Sequence, residues 1–576
     1  MALTALLALM PQGAASVGGI VVKMGSGEPI AGARVELHPE RDIPAAERRP
    51  EVRPEVYTVT TSRDGKFLFD KVEPAAYRLF ATRNDYIPGE FGQRTSTMQG
   101  IPLEIAAGQK RQGIQLAMTP AGSISGRIYD RDGEPVGKAQ VLALRPIYRD
   151  GRRTLTIVQT VQTNDRGEYR LFWLPPGRYY VSAKPDIPEL PSVSGNSTTI
   201  PVSRVTEPAR FGTYSQASNP VIRKRTLKTG EVIEETYLPV YYPSVVEAQA
   251  ASPVELGAGA SVSGVNISVG PGLVPVRHIR GRIINNADAR PPDRVSIMAI
   301  PRTNEPLLAI PVGQPDPNGV FDLAGATAGP YLVAASAPGG STGMVQVDVA
   351  NADIQSLALV MTRQFTVRGK FTVEGRTPDG REGRVADLRV SQLTRDPNLM
   401  GMPGGGPSYN PPVEPDGSFI LEGVSPGDYR VAIRTGSDDA YIKSMRVGNM
   451  DVLEGDLHLT GPPENLLEIV VNVNGGRING SVVNARGEPL SNRTVVLMPD
   501  LRLRHRNDLY KTVSTDASGR FRMQGLTPGS YQLFAWEDVE TGAWQDPDFI
   551  RVYESRAKSI QVSEGSDENI QLTVIP

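Results

Sequence analysis

A tyrosine follows a turn glycine at one fixed distance five times in this chain: Gly65 and Tyr77, Gly167 and Tyr179, Gly319 and Tyr331, Gly417 and Tyr429, Gly519 and Tyr531, each interval being 12 residues by subtraction. A spacing that repeats along the whole length assigns residues to equivalent structural slots, so the chain is read as an array of like units. Departures from the slot pattern then become the places to look for function.

The residues around each turn glycine read as a hairpin feeding a half-buried strand. Arg63-Asp64-Gly65, Asp165-Arg166-Gly167, Pro317-Asn318-Gly319, Asp416-Gly417 and Ser518-Gly519 supply turn chemistry, and alternation with period two follows in Lys66-Phe67-Leu68-Phe69 and its equivalents. A second strand starts at each tyrosine, introduced by Pro74, Pro176, Ala328, Pro426 and Pro528. Each unit opens on a glycine strand (Gly19, Gly126, Gly281, Gly369, Gly480) and closes on an alternating one (Ile114-Gln115-Leu116, Val265-Asn266-Ile267, Leu357-Ala358-Leu359, Leu467-Glu468-Ile469, Ile570-Gln571-Leu572). Three units also carry a Gly-Glu-Pro turn, at Gly27, Gly133 and Gly487. Short strands, frequent turns and almost no helical period predict an all-β tandem array of five β-sandwich units spanning 17–119, 120–271, 272–362, 363–474 and 475–576.

Together, the opening glycine strand, the Gly-Glu-Pro turn, the turn-glycine-aromatic strand and the Pro-Gly-x-Tyr strand resemble the carboxypeptidase regulatory-like domain. That domain is a transthyretin-like sandwich related to collagen-adhesin B-type repeats and grouped near starch-binding domains. The resemblance covers nearly all of the chain after its first segment. It implies a spacer, adhesive stalk, carbohydrate-binding module or peptidase companion, in exported proteins of bacteria; a fold with many uses does not choose among them.

Composition narrows the classes. Over 576 residues the formal net charge is -2, and the one notable basic run is Arg223-Lys224-Arg225 with Lys228, so nucleic acid is not an expected partner. There is no cysteine, which removes disulfides, thiolate metal sites, a cysteine nucleophile and a lipid-modified cysteine. Residues 1–16 are read as a signal peptide: Ala2 to Met10 is apolar but too short to span a bilayer, and small residues follow, with Ala15 the last residue removed. No later apolar run is long enough for a transmembrane span. Two segments read as loops: a polar insert at 186–235 in the second unit, and 395–415 in the fourth. Asp546 followed by Pro547 reads as the capped start of a short helix.

Catalytic chemistry finds little support. The four histidines, His38, His278, His458 and His505, fall in non-equivalent slots without a zinc-binding spacing. Gly339-Gly340-Ser341-Thr342-Gly343 matches a nucleophile-elbow pattern but joins two strands, whereas the chemistry needs a strand-to-helix turn. Asp130, Asp132 and Glu134 lack the rest of a calcium loop, and no recurring lysine, asparagine and acid suggest an isopeptide. No cofactor or metal is expected.

Aromatics outside the repeat are the better lead. Alternation places Tyr169, Leu171 and Trp173 on one face and Phe172 on the other, in a slot that is polar at Asp70, Glu422 and Gln524. In the last unit Tyr531, Leu533 and Ala535 keep the core register, which turns Phe534 and Trp536 outward, near Trp544. Phe534, Trp536, Trp544 and Phe172 are therefore the candidate ligand-binding residues, with glycans as the ligand class that stacks on flat rings, unless the segment Asp546 to Glu554 covers them. The expected function is a non-catalytic, exported adhesive or scaffolding protein with envelope proteins or glycans as partners. Carbohydrate binding is the alternative, and a regulatory companion of a peptidase the third reading.

Overall fold

The computed structural model describes residues 15–40, 56–93, 95, 100–149, 151–185, 220–285, 294–303, 310–338, 340–377, 380, 382–385, 388–394 and 411–576. Almost all of its regular structure is strand, as the alternation predicts, and the buried side chains gather into five main cores that follow one another along the chain.

The same local geometry recurs in each core. The strand after the turn glycine pairs antiparallel with the opening strand, and the opening strand pairs in parallel with the closing strand: Gly19 sits opposite Phe67 and Ile114, Gly281 opposite Phe321 and Leu357, and Gly480 opposite Phe521 and Ile570. This explains the opening glycine. A Cβ added there would lie 2.0 Å from the carbonyl oxygen of Ile114 at Gly19, 2.0 Å from that of Val265 at Gly126, and 2.2 Å from that of Leu357 at Gly281. At Gly369 it would meet the Phe419 ring at 2.1 Å. The glycine is needed for close approach of a neighbouring strand and ring, whatever its φ.

The turns are held by side chains. Asp516 Oδ1 accepts the N–H groups of Ser518 (2.8 Å) and Arg520 (2.9 Å), Asp316 Oδ1 those of Asn318 (2.9 Å) and Val320 (2.8 Å), and Asn164 Oδ1 those of Arg166 (3.0 Å) and Glu168 (2.9 Å). Such Asx turns bring the chain round to the positive φ of Gly167, Gly319 and Gly519 (70°, 79° and 76°). Twelve residues on, Tyr77, Tyr179, Tyr331, Tyr429 and Tyr531 are all buried. Four of their hydroxyls donate to the carbonyl four residues back, on Glu73, Pro175, Ser425 and Thr527, at 2.6–2.9 Å. Each ring thus fills its core while its one polar atom closes the connection between two strands.

A second sheet covers each core, for example Tyr57–Thr60, Arg34–Pro39, Ala75–Thr82 and Gly89–Glu90 in the first and Lys511–Ser514, Thr494–Pro499, Gly529–Trp536 and Lys558–Val562 in the last. Around the third core the two sheets run into one seven-stranded path, because Ser341–Val349 pairs with a strand on either side.

Connections between successive cores are short, and the last core returns to the first two. The closing strand Lys110–Pro120 is followed at once by the opening strand Gly122–Tyr129, and Ile354–Arg363 by Phe365–Glu374. Between the fourth and fifth cores Glu564 accepts from Asn472 Nδ2 at 3.1 Å, and a Cβ on Gly525 would lie 2.2 Å from the Asp438 carbonyl. Asn492, buried and at φ 51°, donates its Nδ2 to the Gly92 carbonyl at 2.6 Å across 400 residues of sequence. Gly542 packs on Tyr148, where a Cβ would come within 3.0 Å, and Gly151 approaches the Gln545 carbonyl at 2.7 Å by the same measure. The array is therefore closed on itself rather than strung out.

Three sequence expectations need restating. Within the insert expected to be an extended loop at 186–235, residues 186–219 lie outside the described residues. Arg223–Thr226 and Val232–Tyr237, however, form a hairpin that adds Leu273–Pro275 as a third strand, because the basic run pairs across it with acids (Lys224 with Glu234 at 2.8 Å, Arg225 with Glu235 at 3.0 Å). Residues 1–14 are not among those described, while Ala15 and Ser16 belong to the first strand, Ala15 fully buried; cleavage after Ala15 would cut inside that strand. Most of the loop expected at 395–415 also falls outside the described residues. The short helix Pro547–Arg551 is present with Asp546 as its cap, accepting from Asp548 N at 2.9 Å.

Candidate functional site

The fifth core shows what became of the predicted aromatic platform. On the strand Gly529–Trp536, Tyr531, Leu533 and Ala535 face the main core, and Phe534 and Trp536 face away from it. That far side is covered. Phe534 and Trp536 stack at 5.0 Å with planes 10° apart, and Phe549 and Tyr553 close over Trp536 with ring centroids 6.3 and 5.8 Å away. Phe534, Trp536 and Trp544 keep only 1%, 1% and 6% of their surface and form a second small core with Val496, Met498, Ile550 and Ile575. The expected sugar-stacking surface at these three residues is thus corrected to packing beneath the segment that follows Trp544. Alternation names the face a ring points to but not what lies over it.

Phe172 is different. It is 41% exposed, and its neighbour Trp173 is 55% exposed. Trp173 does not join Tyr169 and Leu171 on the inner face as alternation predicted, because the ladder breaks there: Gly122 pairs with Leu174, Ile124 with Leu171, and Trp173 is the bulged residue, at φ 54°. The same bulge recurs in the other cores. Its equivalent residues are Gly325, Gly423 and Gly525, at φ 97°, 72° and 64°, and Lys71 in the first. Only the second core puts a large ring in a left-handed slot that three siblings fill with glycine. Phe172 and Trp173 meet edge to face at 5.4 Å, and the Phe172 N–H is held by Gln159 Oε1 at 2.9 Å. Matching Phe172-Trp173 to Ala324-Gly325, Glu422-Gly423 and Gln524-Gly525 is the sequence signal that could have found this.

The histidines do not converge. His38 meets Glu36, His458 meets Asp428, and His505 meets the Glu454 carbonyl, each in a separate place. His278 is the informative one: Nδ1 lies 2.6 Å from Asp322 Oδ1 and Nε2 2.9 Å from Glu234 Oε2, so it clasps the hairpin of the second core to the opening strand of the third. Carboxylates only accept, and a neutral imidazole has one N–H, so the geometry is satisfied only by the imidazolium. Burial opposes that charge, but the hydrogen bonds to Asp322 and Glu234 outweigh it and raise the His278 pKa; hydrogen bonds, first from Lys224 and then from His278, hold Glu234 below the usual carboxylate range. Arg280 and Asp353 complete the cluster, through Arg280 Nε to Asp322 Oδ2 (2.9 Å) and Asp353 Oδ1 to the His278 N–H (3.0 Å).

The raised histidine contributes fully below its unfolded value of about 6.5 and loses that contribution as pH climbs through the folded value, whereas the depressed Glu234 loses its share as pH falls below about 4.3. The clasp should therefore be strongest between roughly pH 4.5 and 6.5. In melts from pH 5 to 9 the gap between the parent protein and His278→Gln should narrow as pH rises; parallel profiles would contradict the clasp.

The remaining candidates sit in turns and at a strand start. Asp130 Oδ1 is spent on the N–H groups of Asp132 and Glu134, both at 2.9 Å, as in the other Asx turns. Among the described residues no group of three or more metal-ligating side chains gathers. Ser341 opens a strand rather than a helix, and its neighbour Thr342 bonds Ser425 across the joint at 2.6 Å.

Residues 477–574 match the model of the carboxypeptidase regulatory-like domain, so the resemblance read from the motifs holds over that stretch. No curated protein matches the chain significantly. Among solved structures, the minor pilin GBS52 of the gram-positive pathogen Streptococcus agalactiae is 11% identical, with 44% of this chain and 94% of that one covered and a TM-score of 0.21. The Bacillus anthracis TIE protein is 11% identical over 97% of this chain and 73% of its own, with a TM-score of 0.14. The major pilin subunit BcpA of Bacillus cereus is 11% identical over 79% and 98%, with a TM-score of 0.13.

Proposed function

We propose that the chain is a non-catalytic, exported scaffolding protein of the bacterial cell envelope, made of five sandwich units with the boundaries read from the sequence and closed into one body. The observation that carries this reading is the return of the last core to the first two, through Asn492 to Gly92 and through Gly542 and Gln545 to the hairpin around Tyr148 and Gly151. A string of units held only end to end would leave those surfaces apart. Closure turns five small cores into a rigid frame whose loops and joints are offered outward to partners. The candidate nucleophile, carboxylates and histidines are all absorbed by turns, strands and joints, which supports a binding rather than a chemical role. The apolar run Ala2 to Met10 supports export.

Fractionation of cells producing the chain from its own start tests the placement. The protein should be released by osmotic shock or cut by protease added outside the cell. Recovery entirely in the cytosol, shielded from protease until lysis, would contradict it.

A further inference from the structure

The joint between the first and second cores departs from its siblings in a way that points to a ligand. At two of the three later joints the bulge glycine lets preceding chain lie close: a Cβ on Gly325 would meet Pro220 at 2.2 Å, and one on Gly525 the Asp438 carbonyl at 2.2 Å, whereas one on Gly423 would only touch the Gln364 side chain at 3.4 Å. At the first joint the slot holds Trp173. Tyr86 pairs with Pro120, the Asp85 carbonyl accepts the Ala121 N–H at 2.9 Å, and Gly122 pairs with Leu174, so the Arg83–Tyr86 turn of the first core stands beside the Phe172–Leu174 end of the second. Arg83 lies over the Tyr86 ring at 5.9 Å. One side of the joint thus offers the edge-to-face pair Phe172 and Trp173, and the other a tyrosine with a guanidinium.

We propose that this joint is a carbohydrate-binding site in which a pyranose ring of a glycan stacks on Trp173 and Phe172. A bulky residue in the left-handed region is a strained choice where glycine was available, and strain of this kind persists where it serves a site. The rings are exposed without being covered by the chain's own described residues to any great extent, unlike Trp536 and Trp544. Size decides the occupant. Phe172 and Trp173, 41% and 55% exposed, leave about 200 Å² open between them. A stable protein partner, including a second copy, needs about 800 Å² per side. A sugar ring needs a flat apolar face and hydrogen-bonding groups at its rim, here the Arg83 guanidinium and the Gln159 carboxamide.

The test uses the full chain and iodide quenching of tryptophan fluorescence, which selects Trp173 because Trp536 and Trp544 are buried. Maltohexaose, cellohexaose and chitohexaose are the probes. At least one should lower the quenching constant at least twofold, in a saturable way. Trp173→Gly, which installs the sibling residue and should melt no lower than the parent, should abolish both quenching and binding measured by calorimetry. Three results would overturn the proposal: no change in quenching with any of the three sugars, calorimetric binding that survives in Trp173→Gly, or a concentration-dependent dimer in ultracentrifugation that this variant removes.

Discussion

Trp536→Ala should destabilise the last sandwich by about 3–5 kcal/mol, the range for removing a large buried aromatic. Trp536 is the hub of the second small core: it stacks on Phe534, is walled by Phe549 and Tyr553, and shares the space with Trp544 and Ile550. Its loss would leave the cover segment without the surface it packs on, and the short helix Pro547–Arg551 has too few residues to persist alone. The consequence should reach beyond one unit, because Gly542 at the start of that cover rests on Tyr148 of the second core. Denaturant unfolding of the variant, with proteolysis mapping between Gly542 and Arg556, checks this. A variant as stable and as protease-resistant as the parent would mean the cover is not docked.

Tyr429→Ala should cost a similar amount, about 3–5 kcal/mol, but for a different reason. Its ring is packed among Val367, Leu421, Leu457 and Leu459 in the fourth core, and its hydroxyl donates to the Ser425 carbonyl at 2.7 Å, closing the strand connection. Tyr429→Phe separates the two contributions: it keeps the ring and removes the hydrogen bond, and should cost only about 1 kcal/mol. Urea unfolding followed by a probe in the fourth core would give both values. Equal losses for the two variants would place the stabilisation in the hydroxyl rather than in the packing.

What the sequence made legible was whatever a few adjacent residues decide. The Asx turns, the alternating strand after each turn glycine, the buried tyrosine and the Asp546 cap are all fixed within a dozen residues, so their spacing recurs and can be read. The opening glycines recur for a reason visible only in three dimensions, the carbonyl of the parallel closing strand, yet the repetition marked them. The cover over Phe534 and Trp536 was not legible, because period-two alternation says which way a ring points and is silent on what folds across it. Trp173 was misplaced because one extra residue in the bulge reverses the alternation that assigned its face. The contact of Asn492 with Gly92 leaves no local pattern at all, and neither does the joint of Glu234 with His278.

Closure is the claim on which the scaffold reading depends, and small-angle X-ray scattering of the full chain measures it most directly. Five units of about 13 Å radius of gyration, each about 30 Å long from its strand lengths, give an overall radius of gyration of roughly 30 Å when closed and roughly 45 Å when strung end to end. A value near 30 Å is expected, with a pair-distance distribution that falls to zero without a long tail. A value of roughly 45 Å with an extended tail would show that the last core does not return to the first two.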